Sequence, residues 1–66
     1  MENHVRDLRK EQGVSQSDLA NALGVSRQTI ISLENGRYTA SLPLAFRIAR
    51  YFDKPIEDIF VYSEED

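Results

Sequence analysis

The chain has no cysteine and a single histidine, His4, in 66 residues. The first absence excludes a disulfide framework and any cysteine-based metal site. The second excludes a histidine cluster, so neither a metal nor a cofactor is expected. Apolar runs extend over a few residues only, far short of the roughly 20 needed to span a bilayer as a helix. No charged-then-apolar signal segment opens the chain. These absences predict a soluble cytoplasmic protein without membrane contact.

Positive charge is also scarce. Eight Lys and Arg face eleven Asp and Glu, for a net charge of -3. A basic stripe is the usual footprint of a nucleic-acid binder, so this balance counts mildly against one. Three of the acids, however, are the terminal Glu64-Glu65-Asp66, and without them the two signs cancel. Between Gln16 and Ser41 the only acids are Asp18 and Glu34. Local distribution therefore outweighs the total. At this length the chain is one domain, near the lower limit for a self-supporting core.

What is present is a series of helix signals, without repeats or low-complexity stretches. The first helix is predicted from about Val5 to Gln12 and stopped by Gly13. Ser15 is an N-cap candidate for the second, with Asp18 at capping-box spacing. Leu19, Ala20 and Leu23 form its apolar stripe, and Gly24 can take the left-handed conformation that ends it. Ser26 then caps a third helix from Arg27 to about Glu34, closed by Asn35-Gly36. Ser41 caps a fourth, with Pro43 in the first turn, where a missing N–H removes nothing. Leu44, Ala45, Ile48, Ala49 and Phe52 make this helix the expected centre of the core. Pro55 opens a short fifth helix containing Ile56, Ile59 and Phe60. Val61-Tyr62 and the segment before Val5 could pair as a short two-stranded antiparallel ribbon, although isolated ribbons are marginal.

Residues 16–35 thus read as two helices joined by a tight Gly-Val-Ser turn. Such a helix-turn-helix can place its second helix in the DNA major groove. On a wheel of about 100° per residue, Ile30, Leu33 and Glu34 share one side of the third helix. Gln28, Ile31, Ser32 and Asn35 fall opposite. Glutamine suits adenine, and Arg27 can reach guanine or a phosphate. Ile31 suits a thymine methyl, or is an isolated surface apolar residue of the ordinary kind. Helix N-termini favour phosphate, which gives Gln16 and Ser26 positioning roles. Arg37, Tyr38 and Thr39 form a polar loop in which Arg37 suits phosphate contact and Thr39 reads as solvated. Arg9 lies beside Leu8, and Glu34 beside Leu33. A charge near a core is tolerated when paired, but adjacency on each helix does not establish contact between them. Arg47, Arg50 and Lys54 read as a solvated face that complements the helix dipole.

The motif Gln-x-x-Leu-Ala-x-x-x-Gly-Val-Ser-x-x-x-Ile-x-x-x-Glu-Asn-Gly, from Gln16 to Gly36, closely resembles the Cro/CI-type (XRE) helix-turn-helix family. Ser41-Leu42 and Ile48-Ala49 match its fourth helix, and the length and the Ile59-Phe60 ending resemble its small stand-alone, cytolysin-repressor-like members. The resemblance implies a mainly α, five-helix, lambda-repressor-like DNA-binding domain in which the termini form a two-stranded sheet. It implies base contacts from Arg27, Gln28 and Ser32, joined by Ile31 on the wheel argument. It implies backbone contacts from Gln16, Asn35 and Arg37, beside the positions read above for Ser26 and Tyr38. Arg9 and Glu34 take the places of an internal salt bridge. Ala40 and Ile31 depart from the proline and the polar residue that many relatives carry, so base preference does not transfer.

The function expected is a transcriptional regulator, a homodimeric repressor on a palindromic double-stranded operator, nucleoid-associated when bound. Leftover apolar residues near the C-terminus place the dimer interface at Ala40, Leu42, Pro55, Ile56 and Ile59. Any regulating signal would act through the dimer, protein level or a protein effector. The alternative is an antitoxin or other protein-binding module whose DNA binding is secondary. An enzyme is disfavoured, because Asp7, Asp53, Glu57 and Asp58 sit in no nucleophile–base constellation and near no phosphate loop.

Overall fold

The computed structural model describes residues 1–64. Five helices follow one another: α1 (Val5–Glu11), α2 (Gln16–Leu23), α3 (Arg27–Glu34), α4 (Leu42–Phe52) and α5 (Ile56–Ile59). Three serines start three of them. Ser15, Ser26 and Ser41 lie in extended backbone and accept hydrogen bonds from the N–H groups of Asp18, Thr29 and Leu44 at 3.0, 3.1 and 3.3 Å. Each satisfies a donor that the helix itself cannot. α1 begins differently. The His4 side chain makes no cap, and Asn3 Oδ1 accepts from Val5 N–H at 3.1 Å instead.

Helix ends follow the same logic. Gly24 closes α2 at φ +72°, and Val25 N–H then reaches Ala20 O at 3.0 Å. This turn sets the angle between α2 and α3, because a left-handed residue redirects the chain within one position. Asp53 closes α4 at φ 54°, the one non-glycine at positive φ among the described residues. Aspartate tolerates that region better than most side chains.

α4 organises the core. Its Leu44, Ala45, Ile48 and Phe52 fall on one stripe and pack with Leu19, Ala20 and Leu23 of α2 and with Ile30 and Leu33 of α3. Val5, Ile59 and Phe60 close the remaining sides. Arg47 lies on the exposed face expected of it but has a structural contact as well. Its Nη1 donates to Leu23 O at 3.0 Å, satisfying a carbonyl at the end of α2 that has no helical partner. α4 thereby holds the helix-turn-helix through a polar clasp as well as through apolar packing.

The predicted terminal ribbon is reduced to one antiparallel bridge, Asn3 with Phe60. His4 N–H donates to Ile59 O at 2.8 Å and Val61 N–H to Glu2 O at 2.9 Å. Among the described residues the pairing goes no further, because α1 starts at Val5 and leaves only four residues before it. The Asn3 amide also leaves the pairing direction, donating to Leu33 O at 2.8 Å and Met1 O at 3.0 Å.

Because Ile48 is wholly buried at the centre of the core, Ile48→Val should lower stability by about 0.5–1.5 kcal/mol. In a domain of this size that corresponds to a fall in Tm of roughly 4–8 °C per kcal/mol. Thermal unfolding followed by circular dichroism measures it; an unchanged Tm would remove α4 from the centre of the core.

Candidate nucleic-acid interface

α3 divides its residues between two duties. Ile30 and Leu33 are fully buried, while Arg27 and Gln28 are exposed. Ile31 and Ser32 are half-buried, so Ile31 is less exposed than an outward position on the wheel suggests. Gln28 Nε2 donates to Ser32 Oγ at 3.4 Å, one helical turn on. This long contact orients the amide without consuming it, since a primary amide keeps a second donor and its acceptor. Ser26 Oγ, by contrast, is engaged by Thr29 Oγ1 at 2.9 Å as well as by the Thr29 N–H.

Glu34 ends the helix and turns inward. Its side chain is 0% exposed, and Arg9 grips it in a bidentate pair. Arg9 Nε donates to Glu34 Oε2 at 2.7 Å and Arg9 Nη2 to Oε1 at 3.2 Å. Gln16 Nε2 donates to the same Oε1 at 3.2 Å, and Arg6 Nε stands 3.6 Å from it. Arg9 Nη1 further donates to Val14 O at 3.0 Å. One carboxylate therefore joins α1, the turn after it, the first residue of α2 and the end of α3. Gln16, expected from sequence at the DNA backbone, is half-buried with its amide turned to Glu34. No buried side-chain nitrogen or oxygen lacks a partner among the described residues.

Burial alone pushes the Glu34 carboxyl up. The hydrogen bonds from Arg9 and Gln16, with the charges of Arg9 and Arg6, outweigh it and hold the group below its ordinary value of 4.5. The hydrogen bond to Glu34 is also the main cause that raises Arg9, against the opposing effect of burial.

The remaining expected positions lie around this frame. Asn35 is exposed, and its Oδ1 accepts from Arg6 Nη2 at 2.9 Å. Arg37 and Tyr38 lie exposed in the loop after α3. Sequence reasoning missed Arg6, which clasps both Asn35 and Glu34. Its place one turn before Arg9 on α1 was the available signal. Arg6, Arg9, Lys10 and Arg27 line one open hollow of about 610 Å³ at the start of α2.

Of the residues expected at a dimer surface, Ala40, Leu42 and Ile56 line a second, mainly apolar hollow of about 560 Å³, together with Met1, Phe60 and Tyr62. Leu42 is 66% exposed and Tyr62 77%. Ile59 does not belong there. It is completely buried, because the last turn of α5 points it into the core beside Phe60. Pro55 also faces elsewhere, into a shallow hollow with Phe46, Arg50 and Lys54.

The two capped helices, the left-handed turn between them and a reading face clear of the core define a helix-turn-helix domain. A helix-turn-helix family model matches residues 5–59, and the chain belongs to that family, as an XRE-type regulator with a DNA-binding domain. An uncharacterised HTH-type transcriptional regulator of Methanocaldococcus jannaschii is 50% identical over 66 residues, spanning 100% of both chains. The cryptic phage CTXphi transcriptional repressor RstR of Vibrio cholerae is 32% identical over 60 residues, covering 91% of this chain and 54% of that protein. Among solved structures, the restriction-modification controller protein C.AhdI of Aeromonas hydrophila superposes with a TM-score of 0.76 at 30% identity, over 85% of each chain. The protein is therefore a DNA-binding transcriptional regulator and not an enzyme. Among the described residues, no helix is long and apolar enough to cross a membrane.

The Glu34 arrangement makes a prediction about acid. A carboxyl whose folded-state pKa is depressed stabilises the fold above the ordinary carboxylate range, and that contribution is lost as pH falls through the lower folded value. Between about pH 7 and about pH 3 the Tm should fall by less in Glu34→Gln than in the native chain. The variant should already be less stable at neutral pH, because Arg9 is left without its counter-charge. Parallel acid profiles in the two proteins would show that Glu34 carries no such linkage.

Proposed function

We propose that the protein is a homodimeric repressor that occupies a palindromic operator, with α3 of each copy in the major groove. The observation that carries this reading is the division of labour in α3. Gln28 and Arg27 stand exposed on a helix whose other face is locked by Ile30, Leu33 and the buried Glu34. A rigid helix presenting an amide, a guanidinium, a hydroxyl and a β-branched side chain suits base edges. Gln28 would pair with adenine, Arg27 with guanine or a flanking phosphate, and Ile31 would cover a thymine methyl beside Ser32. Asn35, Arg37, Tyr38, and the backbone N–H groups at Gln16 and Ser26, would hold the sugar-phosphate chain.

The second copy would dock through the apolar hollow between Ala40, Leu42 and Ile56. A single domain reads too short a site for strong specificity, whereas a two-fold pair reads half-sites about 34 Å apart. Repression is supported by the likeness to a phage transcriptional repressor and follows from occupancy of a promoter.

The test is fluorescence anisotropy on DNA from upstream of the protein's own gene, at several salt concentrations. The native chain should bind with steep salt dependence, and Gln28→Ala should lose roughly 1–3 kcal/mol of discrimination against unrelated DNA. An indifferent Gln28→Ala would move the reading away from this face of α3.

Sedimentation should show a concentration-dependent dimer that Leu42→Glu converts to monomer with unchanged helicity. Monomer alone at high protein concentration would overturn the dimer.

A further inference from the structure

We propose that two copies of the chain exchange arms, each laying the segment from Tyr62 to Glu64 along the groove between α4 and α5 of the other. This rests on the homodimer reading and adds to it a contact beyond the hollow at the centre of the pair.

Two hollows follow one another along α4. The first holds Leu42 and Ala45 with Ile56 of α5 and with Tyr62. The second, of about 300 Å³, holds Phe46 and Ala49 with Pro55, the residue before α5. Leu42 and Phe46 stand four apart on one helix, as do Ala45 and Ala49, so the two hollows are stretches of a single groove. Phe46 is 52% exposed in the second stretch, which carries apolar surface beyond the hollow assigned to the dimer. Charge indicates what covers it. Arg50 and Lys54 line this stretch against one acid, Asp53, which leaves it net positive. Neither cationic side chain makes a hydrogen bond or ion pair among the described residues.

The chain carries the complementary segment itself. Tyr62 stands at the rim of the first hollow, 77% exposed, and the acids Glu64-Glu65-Asp66 follow it in sequence. What precedes Tyr62 is tied down, since Val61 N–H donates to Glu2 O at 2.9 Å and Asn3 bridges Phe60. Glu64 is exposed and makes no ion pair with Arg50 or Lys54 of its own chain. In a two-fold pair joined through the first hollow, Tyr62 of each copy would lie against α4 of the other, and the symmetry makes that contact twice. Glu64 reaches roughly 7 Å beyond Tyr62 along extended chain. At a rise of about 1.5 Å per helical residue, that is close to the distance from Ala45 to Arg50. Glu57 lines the first stretch and not the second, so carboxylates of the arm are favoured beside Arg50 and Lys54.

Charge reversal tests the exchange. Sedimentation velocity over a concentration series gives the dimer dissociation constant of the native chain, of Glu64→Lys, of Lys54→Glu and of an equimolar mixture of the two variants. Circular dichroism checks that helicity is unchanged. Each variant alone sets like charges together in both contacts and should dimerise several-fold more weakly than the native chain, by a margin that shrinks in high salt. A heterodimer of the two variants pairs the reversed arm with the reversed groove on one side and the native arm with the native groove on the other. The mixture should therefore dimerise about as tightly as the native chain. If each variant is weakened and the mixture is not restored, each arm folds back on its own chain and the exchange is overturned. If both variants dimerise as the native chain does, the arm lies outside the interface, while the homodimer through the first hollow stands. If the native chain stays monomeric at every concentration, the homodimer reading itself falls and the exchange falls with it.

Discussion

The buried carboxylate of Glu34 is the constraint on which the rest of the molecule depends. A charge without solvent must be matched or the fold loses several kcal/mol, so Arg9, Gln16 and Arg6 have to approach it from their own helices. That requirement fixes where α1 lies and how α2 begins relative to the end of α3. Apolar packing alone would bring the same helices together with less definition, since hydrophobic burial has no direction. The ion pair supplies the direction. A chain this small has few buried side chains with which to specify a unique arrangement, and a bidentate guanidinium–carboxylate pair is among the most geometrically demanding contacts available.

Two further polar clasps serve the same end. Arg47 closes the carbonyl end of α2 from α4, and the Asn3 amide closes the carbonyl end of α3 from the chain's first residues. Arg47 takes over a backbone acceptor that would otherwise need water, whereas Asn3 adds a second donor to a carbonyl that already accepts from Gly36 N–H at 3.0 Å. The helix-turn-helix is therefore held at the start of α2, at the turn and at the end of α3. Arg27 and Gln28 at the start of α3 are left exposed.

Much of this was legible in sequence, because its signals are local. Ser15, Ser26 and Ser41 announce helix starts within three residues, and Gly24 announces the turn. The spacing of Leu44, Ala45, Ile48 and Phe52 announces the core. What was not legible depends on residues far apart in the chain. Arg9 and Glu34 show only that each lies near a core, and their contact spans 25 positions. The bond of Gln16 to Glu34 spans 18 positions and has no local signal. Arg47 is the exposed cation its sequence position suggests, but its bond to the end of α2 becomes visible only when Leu23 is placed beside its guanidinium. Ile59 looks like a spare surface residue because a four-residue helix has no periodicity to reveal which way it faces. The pairing expected of the termini is present only as a single antiparallel bridge for a related reason, since the length left for it is decided by where α1 starts.

The separation of duties along α3 has an evolutionary consequence. Ile30, Leu33 and Glu34 answer to the interior, and any change there is felt by three helices at once. Positions 27 and 28 are exposed and 31 and 32 half-buried, and substitutions at sites without core or cap duties typically shift stability by less than about half a kcal/mol. Gln28 and Ser32 touch each other, so they are the exception within the set and would be expected to drift as a couple. Under the base contacts proposed above, the molecule would acquire a new address by steps that each leave a folded protein. Descendants of a duplicated copy could part ways quickly in what they recognise while remaining nearly superimposable in shape.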